Sequence, residues 1–409
     1  MKKIAFFALF TCFIIWSYCH QRQTTEPLSE DDRCQQIDIT WPSLADSPWP
    51  MYHHDPQATG RSQYKGPRKG KVKWTFKPGG NIDYSFAIGP DSIIYFPTCN
   101  EGEKHTDAFY ALRPDGTLKW RLEINVGQAQ PMILQDGTIL IVGGQRQFYF
   151  IHPDGYIIKS IDLGITISAY LNIGIDGTIY FVGGESDLYA MSQNGTVLWT
   201  VSLARDFYAS NFPISPDGST IYIFSRKNYF ELDSLYAIST TDGEIIWQLG
   251  IENRQNSRNS PLIDSYGNIF WGTWNSNSSK FYSHSAGGSL NWTFAGWIFG
   301  TPTIDKNSNI YFQIGYEKWL LTSCDYVGNL RWQNEISPGF SDFICDNEGV
   351  VYVISETEAT AHTSNGEKLW SLPLKGRITR IAEPAIGVDG TLYFGTFEGP
   401  EISAVYAIE

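Results

Sequence analysis

Seven tryptophans recur in one local context, and their spacing restricts this 409-residue chain to a repeat architecture. They are Trp74, Trp120, Trp199, Trp247, Trp292, Trp332 and Trp370, with gaps of 46, 79, 48, 45, 40 and 38 residues. The gap of 79 holds two units, with Lys159 at the register where a tryptophan is missing. A glycine stands four residues before each internal marker: Gly116, Gly155, Gly195, Gly243, Gly288, Gly328 and Gly366. Since Gly is only 38 of 409 residues, this agreement defines a repeat.

Each unit has the same grammar. Residues 171–175 and 178–182 are short apolar runs joined by Asp176-Gly177, and Leu188-Tyr189-Ala190-Met191 leads through Asn194-Gly195 into Val197-Leu198-Trp199. Asp-Gly and Asn-Gly are the chemistry of tight hairpins, and helical spacing is missing. The unit is therefore four antiparallel strands, A to D. One such sheet cannot bury both faces, and stacking copies radially does so at about 40 residues per unit. Under this reading each strand-D tryptophan packs between blades and belongs to the core.

The sequence thus predicts an all-β, eight-bladed β-propeller of four-stranded antiparallel blades. Residues 405–409 read as a strand C with no strand D, and residues 71–76 as a strand D with no A to C. The N-terminal strand at 71–76 is expected to complete the last blade and remove open edges. Aromatics at 15% and charged residues at 18% agree with an ordered, strand-rich protein.

Lys2 and Lys3 precede an apolar run from Ile4 to Tyr18, shorter than the roughly 20 residues of a membrane span. The expected organisation is a signal peptide at 1–18, an extended lead-in at 19–70 and a propeller at 71–409. Cys19 stands where an exported lipoprotein would carry its lipid, although Trp16-Ser17-Tyr18 is a poor small-residue signal. The expected location is the bacterial cell envelope, periplasm or surface. Without Lys2 and Lys3 the chain has 28 basic and 43 acidic residues. That balance argues against nucleic acid and anionic lipid as partners, leaving the membrane to a lipid at Cys19. Cys34, Cys99, Cys324 and Cys345 leave room for one or two disulfides, and no C-x-x-C pair supports zinc.

The units resemble the quinoprotein-like repeat, in which a turn precedes a docking tryptophan, as in Tyr110-Ala111-Leu112-Arg113-Pro114-Asp115-Gly116-Thr117-Leu118-Lys119-Trp120 and again from Tyr236 to Trp247. The similarity covers residues 71–409. The stretch from Trp49 to Asp55, with Thr59-Gly60-Arg61-Ser62 and Gly66-Pro67, is similar to the lead-in of exported bacterial members. Within that superfamily the resemblance implies either a binding scaffold, as in the lipoprotein subunit of the outer-membrane β-barrel assembly machine, or a quinone-dependent dehydrogenase. The dehydrogenases carry an adjacent Cys-Cys disulfide, calcium ligands and an aspartate base. No two cysteines are adjacent here, and no catalytic residue carries over by position. No enzyme activity and no cofactor are expected.

Other motifs have plainer readings. His53-His54-Asp55 alternates sides on an extended segment and reads as lead-in rather than a metal site. Asp305-Lys306-Asn307-Ser308-Asn309 lacks the glycine and distal glutamate of a calcium loop and falls on an A–B turn. His152, His284 and His362 belong to three different blades and cannot converge on one ion.

Length varies in the B–C and D–A connections, which share one rim of a propeller, and such loops are where binding resides. The sector of blades 4 and 5 is richest, with Trp271 beside it. Candidate binding residues are Tyr229, Asn253, Arg254, Arg258, Asn259 and Trp274, types suited to protein hot spots and also to sugars. The leading reading is a monomeric envelope scaffold that holds a protein or peptide partner on this rim, with glycan binding as the rival.

Overall fold

A computed structural model describes residues 35–82, 85–101, 106–126, 129–144, 146–184, 187–203, 211–226, 233–251, 260–274, 278–315, 317–339, 343–374, 381–396 and 403–409. The regular elements among them are all strands. Their turns form as the sequence dictates. In the A–B hairpin of blade 3, Asp176 Oδ1 accepts the Thr178 N–H at 2.9 Å, and Gly177 takes a φ of +84°. Few side chains other than hydrogen tolerate that conformation.

Eight sheets result, seven of four strands and one of three. Blade 3 is the pattern: Ile167–Ile173, Ile179–Gly183, Asp187–Met191 and Val197–Ser202 pair in order, all antiparallel. Burial falls from the axis outward. Strand B of this blade is buried throughout, whereas its strand D alternates between exposed and half-buried. Blade 4 departs from four strands. Its strand A is reduced to an isolated bridge between Ile214 and Ile221, and Pro213, which has no N–H to give to a ladder, precedes it.

The closure expected from the sequence is present. Val72–Phe76 pairs antiparallel with Val405–Ile408, which follows Leu392–Thr396 and Ile381–Ile386 in one sheet. Lys71 and Glu409 exchange backbone hydrogen bonds at 3.1 and 2.8 Å. The ring is thus closed by residues more than three hundred positions apart, and strand C of blade 8 keeps no open edge.

The tryptophans staple the ring. All seven indole N–H groups donate at 2.8–3.0 Å to a carbonyl in the turn of the next blade: Trp74 to Pro114, Trp120 to Pro153, Trp199 to Thr240, Trp247 to Ala286, Trp292 to Tyr326, Trp332 to Ser364 and Trp370 to Pro67. The repeated glycine exists because the neighbouring indole lies on it. A Cβ at Gly116 would stand 2.7 Å from the Trp74 ring. Opposite each tryptophan, strand C carries Ala or Ser, as in Trp199↔Ala190 and Trp332↔Ser323.

Gly70 is an eighth member of the glycine series. Its φ is +63°, and a Cβ there would lie 2.5 Å from the Trp370 ring. Residues 67–70 therefore rebuild, from the lead-in, the C–D turn that blade 8 would otherwise lack.

The cysteine expectation needs correction. Cys324 and Cys345 are buried free thiols, and Cys99 is buried in blade 1. Cys345 Sγ instead sits 3.4 Å from the Ile304 carbonyl, so Cys324 and Cys345 are packing residues of two blades and not a bridge. Cys19 and Cys34 lie outside the described residues.

Candidate functional site: an axial hub and an aromatic rim

The lead-in does not hang from the ring but crosses its axis, and it touches the innermost strand of every blade. Backbone carbonyls of Trp49, Pro50, Pro56, Gln57, Thr59 and Gly60 accept N–H groups of Ile88, Ile133, Ile214, Ile263, Ile304 and Cys345, at 2.7–3.4 Å. Blade 3 is reached through Trp41 Nε1 to the Ile173 carbonyl and Ser43 Oγ to the Gly174 carbonyl, at 2.9 and 2.6 Å. Blade 8 is reached where the His53 N–H donates to Glu383. Every one of these backbone partners except Glu383 sits at the end of strand A beside its A–B turn. The hub therefore closes the mouth of the channel on the A–B and C–D side.

Three residues before the end of strand A, the position is polar in all seven blades where it is described: Ser85, Gln130, Tyr170, Asn211, Ser260, Thr301 and Glu383. Tyr52 spans this level, its hydroxyl 3.0 Å from Thr301 Oγ1 in blade 6 and its ring edge-on to Tyr170 of blade 3. Nothing in the repeat requires polarity there, and sequence reasoning missed it. The recurring polar residue in an otherwise apolar inner strand was the available signal.

His53 and Glu383 form the most buried pair on the axis, at 0% and 2% exposure. His53 Nε2 lies 3.0 Å from Glu383 Oε1, but both ring nitrogens are out of line for a hydrogen bond. Burial pushes the imidazole down to about 3, so it is neutral. The pair ties the hub to blade 8, where the His53 backbone N–H donates to both Glu383 carboxylate oxygens at 3.0 Å. Among the described residues no group of three or more His, Cys, Asp or Glu converges as a metal site. Asp305 shows why its loop is a turn: its carboxylate accepts from the N–H groups of Asn307 and Asn309, from Asn309 Nδ2 and from the Tyr311 hydroxyl, at 2.7–2.9 Å. Its lone pairs are already engaged within the protein.

Of the sequence-predicted binding residues, Trp274 is placed on the opposite rim. Tyr229, Asn253, Arg254, Arg258 and Asn259 lie outside the described residues. Trp271, grouped with Trp274 by sequence, is a core residue: it is 2% exposed, stacks on Tyr282 and donates from Nε1 to His284 Nδ1 at 3.1 Å. Alternation along the strand separates the two, since strand B is buried and Trp274 follows its end.

Trp274 joins a cluster that sequence did not assemble. Its ring packs on Phe299 of blade 6 at 5.8 Å, and Phe299 packs on Trp319 at 5.1 Å. Both tryptophans are half-buried. The Ile298 N–H bonds the Thr273 carbonyl at 2.9 Å, which ties the connection of blade 5 to blade 6. Gly315 has no room for a side chain, because a Cβ would stand 2.7 Å from Trp319 and 3.0 Å from Phe299. The result is a fixed aromatic wall at one sector of the rim. Such walls accept apolar side chains of a peptide or the C–H face of a sugar.

The closed ring, the stapling tryptophans and the hub define the chain as an eight-bladed β-propeller. Residues 152–292 match the family model described as outer membrane protein assembly factor BamB. Among solved structures the chain is similar to BamB from Moraxella catarrhalis, with 10% identity, TM-score 0.60, and coverage of 83% of this chain and 100% of that one. A europium-containing methanol dehydrogenase matches with 12% identity, TM-score 0.62, and coverage of 88% and 98%. The C-terminal WD40 domain of Sif2 matches with 11% identity, TM-score 0.63, and coverage of 85% and 99%. At these identities the likeness is one of fold, shared by an assembly factor and an enzyme. No curated protein matches the sequence.

Proposed function

We propose that this chain is a non-catalytic, exported binding scaffold of the bacterial cell envelope, which holds a protein or peptide partner on the rim formed by its B–C and D–A connections. The observation that carries this reading is the asymmetry of the channel. The chain's own hub closes one mouth, and the opposite rim presents the fixed Trp274–Phe299–Trp319 wall. Rigid walls of this kind lose little entropy on binding. The match of residues 152–292 to an outer-membrane assembly factor supports the same class of function. Arg254, Arg258, Asn253, Asn259 and Tyr229 extend the proposed surface, and Cys19 is the proposed lipid attachment point after removal of residues 1–18.

Affinity capture from envelope extracts tests this reading, with wild type compared against Trp274→Ala/Trp319→Ala and Arg254→Ala/Arg258→Ala. A specific protein retained by wild type and lost by the variants is the expected result. An identical retained set in all three removes this rim. The half-buried tryptophan faces also fit a sugar, and glycan-array binding lost in Trp274→Ala without any captured protein favours that second reading.

A further inference from the structure

Among the described residues, exposed apolar side chains gather on the A–B and C–D side. Fifteen large hydrophobic residues are exposed among the described residues, and all lie in A–B turns, C–D turns, the first residues of strand D, or at Ile37. Blades 1 and 5 each expose one such residue and blades 6 and 8 two that are not adjacent, which is ordinary scatter for a protein surface. Blades 2, 3 and 4 differ, because strand D begins there with adjacent apolar pairs, Ile157-Ile158, Val197-Leu198 and Ile245-Ile246. Tyr156, Leu198 and Ile246 are 56%, 54% and 56% exposed. Three successive blades thus present apolar corners in the same direction.

The lead-in enters the ring on this same side. Gln36 is held at the A–B turns of blades 5 and 6, its N–H to the Lys306 carbonyl at 2.9 Å and its Oε1 accepting from the Ser265 N–H at 2.9 Å. The Tyr266 hydroxyl holds the Gln35 carbonyl at 2.7 Å. Cys19 precedes Gln35 by 16 residues, a tether that reaches at most about 55 Å. A chain anchored at Cys19 is therefore held by the side that carries the apolar corners.

We propose that this side rests on a zwitterionic lipid surface, with the corners of blades 2 to 4 dipping into the interface; the inference rests on the anchored-scaffold reading above. Charge selects the lipid. Asp115, Asp154, Asp217, Asp242 and Asp325 occupy the turns of this side, so an anionic bilayer is repelled while shallow apolar insertion into a neutral one is favoured. Seated in this way, the protein turns its aromatic rim away from the bilayer.

Hydroxyl-radical footprinting of the full chain on phosphatidylcholine vesicles tests the seating. Wild type is compared with Ile158→Glu/Leu198→Glu/Ile246→Glu, whose fold is verified by an unchanged melting profile, and with Cys19→Ser. Tyr156 on wild type is expected to oxidise at least about threefold more slowly than on the triple variant, as burial in the interface requires, with Trp274 and Trp319 equal in both. Equal oxidation of Tyr156 in the two proteins overturns the proposal. Flotation reports the anchor separately. If Cys19→Ser stops floating while wild-type Tyr156 is unprotected, the anchor stands and the seating falls. If Cys19→Ser floats with Tyr156 protected, the seating stands without the lipid.

Discussion

Lys159 stands where the other blades place their stapling tryptophan, and its ammonium lies 4.1 Å over the ring of Phe150, its cross-strand partner. Elsewhere that partner is Ala or Ser. The two changes compensate: Phe150 supplies the aromatic volume from strand C, and Lys159 Nζ still donates at 2.7 Å to a turn carbonyl of the next blade, that of Gln193. The staple survives with its parts exchanged between strands.

This exchange predicts a thermodynamic cycle. Phe150→Ala removes a buried ring and should cost about 3–5 kcal/mol, and Lys159→Trp alone should overpack by about 1–3 kcal/mol. The double variant regenerates the standard pair and should lie within about 1 kcal/mol of wild type, because the two sites couple. Denaturant unfolding of the four proteins checks it. Additive losses would show that the two side chains do not substitute for one Trp–Ala pair.

Ring closure depends on Gly70 and Trp370. Gly70→Ala must place a methyl group 2.5 Å from the indole at a φ of +63°. A loss of at least about 1–3 kcal/mol is expected from the backbone conformation alone. Removing residues 71–76 should lower the melting temperature of the whole ring in one transition, since blade 8 loses its outer strand. A near-normal melt of that truncation would contradict the closure.

The hub can be tested at Asn172, whose Nδ2 donates to the carbonyls of Pro56 and Phe212 at 3.1 and 3.0 Å from a fully buried position. Asn172→Ala takes this donor from the Phe212 carbonyl and leaves the Pro56 carbonyl with the Ile214 N–H, and should destabilise by about 1–3 kcal/mol. Hydrogen exchange should rise first around residues 56–60. Protection there equal to wild type would mean that the hub does not rely on this bond.

Acid stability follows from the histidines. Burial lowers His53 to about 3, and His284 and His362 to about 4. Unfolded histidine titrates near 6.5, so below that pH the unfolded chain binds more protons than the folded one. Their contribution is complete above 6.5 and is lost progressively as pH falls toward 4 and then 3. Thermal melts between pH 7 and 4 should show this decline, and His53→Gln should make it shallower. An unchanged slope in His53→Gln would show that this imidazole is not held neutral by the fold.

The ring was legible in the sequence because each blade repeats one solution to one packing problem. Gly155 and Gly195 kept the period readable even where Lys159 hides the tryptophan. Gly70 escaped notice because its strand C lies at the other end of the chain, so no continuous repeat surrounds it. The hub was illegible for a different reason: residues 41–60 pair one residue at a time with eight strands, and isolated bridges leave no periodicity. Trp271 and Trp274 appeared equivalent because composition does not reveal which face a residue takes. The assembly of Trp274 with Phe299 and Trp319 required the contact between two blades.

Pairing of residues 72–76 with 405–408 also sets an order of events during synthesis. The hub leaves the ribosome first, yet blade 8 cannot form, and blades 1 and 7 cannot take their last neighbour, until residue 408 has been translated. Interrupted chains must therefore expose unpaired strands, and an exported version has reason to be kept unfolded until translocation is complete.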